Sequence, residues 1–408
     1  MNRENLELLI PASNLEVLKV GVKYGADAIY IGGEMYGLRA NAKNFSHDDM
    51  KKGIEYAHNH GVKVFITANI MARNYDMQGI IEYLNELNEL KPDAVIIGDP
   101  GVFVHARKIL KDIDIHISTQ ANNTNYETFN FWYELGAKRV VAARELSLDE
   151  ICEIRTHIPN DMEIEAFMHG AMCMSYSGRC LLSNFFNGRD ANKGACTHPC
   201  RWKYNVVEET RPGEYMPVFE NERGTYIFNS KDLCMIEHIP EMVNAGINSF
   251  KVEGRMKTAL YVATVARTYR RAIDDYLESK DKYIDNLEYY KKEIGKCTYR
   301  EFTTGFFFGN PDDAQIYNSN TYITNYIYLG MCQKMRHDGY VEMEQRNKFS
   351  VGDYVEIMKT NGDNIVVKVE DIQDEEGNHM ESCPHPKQKI YVNLGIELDE
   401  LDIIRKQQ

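Results

Sequence analysis

The sequence predicts an α/β fold: a (β/α)8 TIM-type barrel with a cysteine-rich insertion after strand 7, plus a small C-terminal antiparallel β-barrel domain. Eight short β-branched runs alternate with helical stretches. The runs are almost continuously apolar, as is typical of parallel strands that are buried on both faces. They recur every 20 to 35 residues or so, which suits a barrel of roughly 280 residues. A doubly wound open sheet is the competing interpretation, but the first run ends in IPASN and lacks a glycine-rich phosphate loop.

The order of the predicted elements supports this organisation. Strands are expected at 6–12, 28–33, 63–70, 94–100, 114–120, 139–146, 163–170 and 249–255. Helices are expected at 14–25, 46–60, 76–90, 101–111, 125–135, 147–157, 232–245 and 258–279. Asn14 is a candidate N-cap for the first helix. We therefore expect a barrel domain at 1–312 and, from alternating runs separated by HDG, VGD, NGDN and EEGN turns, a β domain at 320–408.

Composition limits the class of protein. The 408 residues carry a net charge of −14, with 43% hydrophobic and 26% charged residues, which is typical of a globular protein. The N-terminus is charged where a signal peptide needs an apolar run, and no stretch approaches the roughly 20 apolar residues that span a bilayer. We expect a cytoplasmic protein with no membrane association. The acidic balance argues against a protein that coats nucleic acid.

Four of the nine cysteines lie within one short segment, with the spacing C-x6-C-x15-C-x3-C. In a reducing cytosol such a cluster more often binds metal or acts in catalysis than forms disulfides. Four thiolates can hold an iron–sulfur cluster or close a tetrahedral zinc site, and redox or structural thiols remain a further possibility. A thiol–imidazole pair of Cys173 or Cys180 with His169 or His198 is also open. The four cysteines are Cys173, Cys180, Cys196 and Cys200.

The same segment, 170–203, is a basic island whose sole acidic residue is Asp190. Such an island could attract phosphate, and the alternative is a solvated loop whose charges balance acidic neighbours. Its basic residues, which we treat as candidates for RNA binding, are Arg179, Arg189, Lys193, Arg201 and Lys203.

Polar residues follow the predicted strands at the end where barrels of this class carry their active sites. The segment that contains the cysteines begins directly after strand 7, so it belongs to the same mouth. The alternative is that these residues cap the barrel or form ion pairs, Arg144 with Glu145 and Arg255 with Glu253. The strand-end residues are Asn69, Asp99, Gln120, Arg144, Glu145, His169, Glu253 and Arg255.

A family resemblance rests on several phrases. EAFMHGAMCMSYSGRCLLS at 165–183 resembles the signature of the collagenase-like proteins called peptidase family U32. LLIPASN, GADAIYIGG, GACTHPCRW and FKVEGRMKTALYVA also resemble phrases of that family. Members modify RNA or quinones, and this chain looks most like the branch that makes 5-hydroxyuridine in tRNA with prephenate. The resemblance implies a [4Fe–4S] cluster on Cys173, Cys180, Cys196 and Cys200, with zinc as the alternative.

The resemblance also implies roles for other residues. Proton transfer would fall to Glu165, His169 and Glu253. The basic segment and the distal β domain would receive the tRNA anticodon arm, and a paired paralogous subunit or a homo-oligomer is expected. A collagenase-like protease and a metal-stabilised RNA-binding protein without catalysis remain as alternatives. A small carboxylate co-substrate such as prephenate would be bound by Arg39, Asn69, Gln120, Arg144, Lys251 and Arg255.

Overall fold

Eight parallel strands close into a barrel in the computed structural model, which describes residues 6–37, 44–173, 175–202, 205–206, 216–217, 230–309 and 322–408. Strands β1–β7 and β11 pair in order, and β11 pairs with both β7 and β1, which closes the barrel. The predicted TIM-type barrel is confirmed. The strands in this part of the chain are β1 (Glu7–Pro11), β2 (Ala28–Gly32), β3 (Lys63–Ala68), β4 (Ala94–Ile97), β5 (Asp114–Ile117), β6 (Arg139–Val141), β7 (Glu163–Ala171), β8 (Asn205–Val206), β9 (Met216–Pro217), β10 (Asp232–Cys234), β11 (Ser249–Val252) and β12 (Phe302–Thr303).

The continuous apolar runs arise because each barrel strand is buried on both faces. Side chains on one face pack against the surrounding helices, as Leu8 and Ile10 do. Side chains on the other face point into the barrel, where Leu9, Tyr30 and Phe65 belong to a separate small cluster. This arrangement is expected of a parallel sheet that helices cover.

Helices follow the strands in the predicted order. Asn14 caps the first of them by accepting a hydrogen bond from the backbone N–H of Val17 at 3.0 Å. Ser147 and Glu150 form a capping box at the start of the sixth. The helices are α1 (Leu15–Lys23), α2 (His47–His58), α3 (Met77–Leu90), α4 (Pro100–Ile109), α5 (Tyr126–Glu134), α6 (Leu148–His157), α7 (Leu182–Asn187), α8 (Ile239–Asn244), α9 (Ala259–Glu278), α10 (Lys280–Asp285) and α11 (Leu287–Ile294).

The predicted helix 232–245 is wrong in its first half. Residues Asp232–Cys234 form β10, which pairs antiparallel with the end of β7, and only Ile239–Asn244 is helical. His169 in β7 pairs with β11 on one edge and with β10 on the other, so β10 occupies the length of β7 that the short β6 does not cover. A free strand edge overrides the local helical pattern here. Cys234 is buried as expected, but in a strand.

The C-terminal part contains two four-stranded sheets whose strand pairs are all antiparallel, which confirms the predicted class of this domain. Alternate residues of its strands are buried, as in Tyr340–Glu344. The final strand, which the sequence analysis did not predict, joins two others in the first sheet. The strands are β13 (Tyr326–Met331), β14 (Lys334–Met335), β15 (Tyr340–Glu344), β16 (Tyr354–Met358), β17 (Ile365–Lys368), β18 (Asp371–Gln373), β19 (Lys389–Asn393) and β20 (Ile403–Gln407).

The C-terminal sheets pack directly on the barrel helices. The hydroxyl of Tyr24, which ends α1, donates to the carbonyl of Met358 at 2.7 Å. Arg405 of β20 is fully buried and pairs with Glu293 of α11 at 3.0 Å and with Glu356 of β16. Buried charged groups are stabilising only when paired in this way. Over the described ranges, no helix combines the length and the apolar character that crossing a membrane requires.

Candidate active site

A cavity of about 540 Å³ opens at the carboxyl-terminal ends of the barrel strands. One wall consists of residues that follow strands β3, β5, β6 and β11, and the other consists of the cysteine-containing segment after β7. Pockets of this size accommodate small ligands. The predicted residues that line it are Asn69, Gln120, Arg144, Lys251, Glu253, Arg255, Cys173, Cys180, Cys196 and Cys200.

Lys251 supplies a positive charge at the base of the cavity. Its ammonium lies 2.6 Å from a carboxylate oxygen of Glu165 and 4.5 Å from the centre of the Tyr30 ring. Glu165 is fully buried and does not line the cavity. Glu165 forms an ion pair with Lys251 from the interior side of the cavity. Its predicted role in proton transfer stays a prediction.

A chain of paired charges continues from Glu165 into the barrel interior. Glu165 accepts from Arg139 at 3.1 Å, and Arg139 also pairs with Glu7 and Glu163. Burial alone would lower the pKa of Arg139, but Glu7 and Glu165 outweigh it and raise that pKa above its usual range. Burial lowers the pKa of the neighbouring His116, which therefore stays neutral. The barrel interior thus contains a polar network, with Lys251 at its upper end, beside the apolar cluster of Leu9, Tyr30 and Phe65.

Arg144 lies flat on an aromatic ring at the cavity wall. Its guanidinium carbon is 3.8 Å from the centre of the Phe167 ring, and it donates to Glu253 at 3.3 Å and to the carbonyl of Ala171 at 3.3 Å. The partner carboxylate is therefore Glu253 and not Glu145. Among the residues that the structure describes, the buried Nε of Arg144 has no hydrogen-bond partner. A buried unsatisfied donor beside a cavity is a feature that a bound anion would satisfy.

Neutral polar groups and a second arginine complete this wall. Arg255 is buried and donates to the hydroxyl of Thr67 at 3.0 Å. Asn69 donates to Ser118 at 3.2 Å. The side-chain oxygen of Gln120 is buried without a hydrogen-bond partner. The cavity wall therefore offers both an unsatisfied acceptor and an unsatisfied donor.

His169 lies away from the cavity lining, in an aromatic cage. It is buried, its Nδ1 is 3.2 Å from the hydroxyl of Tyr269, and its ring also contacts Tyr261 and Phe302. Burial lowers the pKa of His169 to about 3, so the ring is neutral at ordinary pH. It packs as an uncharged core residue, and the predicted catalytic role remains a prediction.

The cysteine-containing segment is fastened to the barrel loops by hydrogen bonds. Asn122 donates to the carbonyl of Ser177 at 3.1 Å, and the N–H of Met71 donates to the carbonyl of Asn192 at 3.1 Å. Gly178, with φ of +76°, approaches Gln120 so closely that a Cβ would lie 2.8 Å from its side-chain oxygen. Glycine is required at this contact because both the conformation and the space exclude a side chain.

The donor chemistry of this wall fits an iron–sulfur cluster. Cys173, Cys180, Cys196 and Cys200 all line the same cavity. Across the described ranges, no three or more His, Cys, Asp or Glu side chains gather closely enough to hold a single metal ion. In a cubane cluster each cysteine binds a different iron atom, so the four thiols need not converge on one point. The predicted cluster and the zinc alternative both stay predictions. His198 contacts Cys196, with Nδ1 3.8 Å from the sulfur.

The predicted RNA-binding residues have different surroundings. Arg179 and Arg189 are exposed. Lys193 instead pairs with Asp76 at 2.7 Å and lies over the Tyr75 ring. The side chain of Arg201 and all of Lys203 lie outside the described residues, as does Arg39, which was predicted to bind substrate.

Two buried residues at the cavity carry no signal in the sequence. Asp232 and Arg300 both line it and pair at 2.7 Å. Asp232 appeared to begin a helix, and Arg300 lies beyond the last barrel helix, so no local pattern pointed to either. The exposed aromatic residues of the segment around α7 were also overlooked, although the letters NFFNGR mark them.

Comparison with known proteins adds a family to this geometry. The chain matches the family model described as peptidase family U32 over residues 13–317, and the model of the U32 C-terminal domain over residues 324–405. It is 39% identical to tRNA hydroxylation protein P1 of Bacillus subtilis, covering 98% of this chain and 94% of that protein. It is 37% identical to tRNA hydroxylation protein P of Escherichia coli, covering 96% and 94%. An uncharacterized protease of Methanocaldococcus jannaschii is 44% identical over 74% of this chain and 73% of its own length. These matches confirm the predicted resemblance, and the chain belongs to peptidase family U32.

Proposed function

We propose that this chain hydroxylates a wobble uridine of tRNA to 5-hydroxyuridine, using an iron–sulfur cluster and a small carboxylate co-substrate such as prephenate. The observation that carries the proposal is a single cavity in which four cysteines face a cationic wall. The near full-length similarity to two proteins named for tRNA hydroxylation supports the choice of substrate.

The cationic wall supports binding of a carboxylate. Arg144 and Lys251 each have one carboxylate partner at the distances given above, and Arg144 retains a buried Nε donor without a partner. A guanidinium meets a carboxylate in two-point geometry, which a lysine cannot reproduce. The Phe167 ring packs against the guanidinium of Arg144 at 3.8 Å and supports it at the cavity wall. Arg144 would thus orient the co-substrate, and Glu253, which lines the cavity beside it, is placed to hold a proton.

The thiol wall supports binding of the cluster. Cys173, Cys180, Cys196 and Cys200 would hold it, and a bound [4Fe–4S] cluster supplies one-electron redox chemistry. The barrel beneath excludes water, since Lys251 and Arg255 are almost completely buried. A base that enters the cavity would therefore be shielded from solvent. Enzymes that act on a base take it out of its stack into such a pocket.

The proposal is tested by the nucleosides of tRNA. A strain that lacks this protein and its paralogues should have no 5-hydroxyuridine by mass spectrometry, and the wild-type chain should restore it. The Cys173→Ala and Cys200→Ala variants should not restore it. Wild-type protein purified without air should contain about four irons and four sulfides per chain, as one cubane requires. One zinc ion per chain without sulfide would favour the alternative of an RNA-binding protein without catalysis. If the wild-type chain restores no 5-hydroxyuridine to the deletion strain, the proposal is refuted.

A cysteine peptidase is the second candidate, and the contact between Cys196 and His198 supports it. A thiol beside an imidazole is the minimal arrangement for a cysteine nucleophile. If this candidate is right, metal-free protein should cleave gelatin or casein, and Cys196→Ser should abolish cleavage while Cys173→Ala should not. Equal loss of iron from both variants, with no cleavage by the wild type, would exclude it.

The predicted second subunit remains a proposal. The mass of the purified chain in solution, measured by light scattering with and without its co-expressed paralogue, tests it. A monomer that restores 5-hydroxyuridine by itself would show that no partner is required.

A further inference from the structure

The outer surface of the cysteine-containing segment carries exposed aromatic rings. Phe185 of α7 is 85% exposed, and Phe186 and Trp202 are 45% and 44% exposed. The Phe185 and Phe186 rings are 5.6 Å apart, and the Phe186 and Trp202 rings are 6.5 Å apart. We call these three residues the aromatic platform.

The platform residues lie beside the cavity wall but are not among the residues that line it. In α7, Leu182 lines the cavity, and Ser183 is buried and accepts from the N–H of Thr197 at 3.0 Å. These inward residues anchor the short helix. The fold does not need a phenylalanine at position 185, because nearly all of that side chain faces solvent. Large exposed apolar groups that lie together commonly mark binding surfaces.

The charges along the segment indicate what could bind there. Arg179 precedes the platform and Arg189 follows α7, and both are exposed. The one acidic residue of the segment, Asp190, is turned toward its own chain, where it accepts from the N–H of Asn192 at 2.8 Å and lies 3.9 Å from Arg73. Aromatic rings flanked by arginines suit unpaired nucleotides, because the rings stack on bases and the arginines attract phosphates.

We propose that the aromatic platform stacks an unpaired RNA nucleotide that neighbours the one whose base enters the cavity. The inference rests on the proposed function and names the surface that receives the substrate. Extraction of one base from a loop removes a stacking partner from its neighbours. The rings of the aromatic platform, on the exposed surface of the segment that forms the cavity wall, can stack on a neighbouring base in place of the extracted one. Because every base has a π-face, the platform should tolerate different neighbouring bases.

The test compares four variants of the full chain in binding to a fluorescent anticodon stem-loop, measured by anisotropy without air. Phe185→Ala and Phe185→Leu should each weaken binding about 10-fold, which is typical of one lost base–aromatic stack. Phe185→Trp should bind as tightly as wild type. The matched control is Phe131→Ala, since Phe131 is 52% exposed on α5, outside the segment. It should not change binding, and iron content and circular dichroism should be the same in all four.

The leucine variant separates stacking from simple apolar contact. Leucine keeps an apolar surface but has no π-face, so wild-type affinity in Phe185→Leu would overturn the proposal. Wild-type affinity in Phe185→Ala would overturn it too, and loss of a co-purifying protein subunit from that variant would assign the surface to a protein partner. Formation of 5-hydroxyuridine by wild type is measured in parallel. If wild type forms 5-hydroxyuridine but the Phe185 variants bind RNA as tightly as wild type, only this inference is refuted. If wild type forms no 5-hydroxyuridine, the proposed function is refuted.

Discussion

Replacement of Arg405 by methionine should destabilise the protein strongly, because Arg405 neutralises buried carboxylates between the barrel and the C-terminal sheets. Arg405 is fully buried, its Nη2 is 3.0 Å from Glu293, and its Nε is 2.7 Å from Glu356. Methionine fills much of the same volume but carries no charge. Both carboxylates would remain buried. Their remaining cationic neighbours are Lys296, which pairs with both, and Arg267, which lies 3.1 Å from Glu293.

The magnitude follows from the titration of Glu293. Burial alone would raise the pKa of Glu293, but Arg405 and Lys296 outweigh it and lower that pKa to about 2. The fall from the usual value of 4.5 to about 2 is caused by Arg405 together with Lys296 and Asn364, and all of them together contribute about 3 kcal/mol of stability. Loss of one partner from a buried pair typically costs about 3–5 kcal/mol, in agreement. We expect Arg405→Met to lower the free energy of unfolding by about 3 kcal/mol at pH 7.

The lowered pKa of Glu293 also predicts how the stability of the protein changes with pH. Because the pKa of Glu293 is lower in the folded state, its contribution is fully present above the unfolded pKa near 4.5 and is lost as pH falls toward 2. The loss on acidification should be smaller in Arg405→Met. Guanidinium unfolding followed by circular dichroism at pH 7 and pH 4 measures both effects. Lys389→Met, at an exposed pair with Glu342, is the control and should be nearly neutral. A variant as stable as wild type at pH 7 would refute the reasoning.

Three further predictions concern the site. Cys173→Ala and Cys200→Ala should lose iron and sulfide while Cys152→Ala, a half-buried thiol of α6, should keep both; equal content in all three would exclude cluster ligation by the segment. Arg144→Lys should lower kcat/KM for uridine hydroxylation about 10- to 100-fold through a higher KM for the carboxylate co-substrate, and an unchanged KM would remove Arg144 from the binding site. Burial lowers the pKa of His169 from 6.5 to about 3, so the folded protein should lose stability as pH falls from 6.5 toward 3. His169→Phe should reduce this dependence of the free energy of unfolding on pH, measured by urea unfolding. An unchanged dependence in the variant would contradict the prediction.

The barrel could be predicted from sequence because its signal is local and repeated. Strands buried on both faces need continuous apolar runs, and the helices between them carry their own caps, as Asn14 does for α1. The β10 strand could not be predicted in this way. Asp232–Cys234 is a strand because the edge of β7 is open beside it, and β7 lies more than sixty residues earlier in the chain.

For the site, the inventory of chemical groups and the end of the barrel at which they lie can be predicted from the amino-acid sequence. Strand ends and the four clustered cysteines are both visible in the letters, and the structure brings them to one cavity. The partners of these groups become known only from the folded chain. Arg144 pairs with Glu253, 109 residues away, although Glu145 is adjacent, and Lys193 pairs with Asp76 across the mouth. This difference arises because periodicity and capping depend on hydrogen bonds within one segment. Ion pairs and burial depend instead on which segments meet, and a sequence pattern does not contain that information.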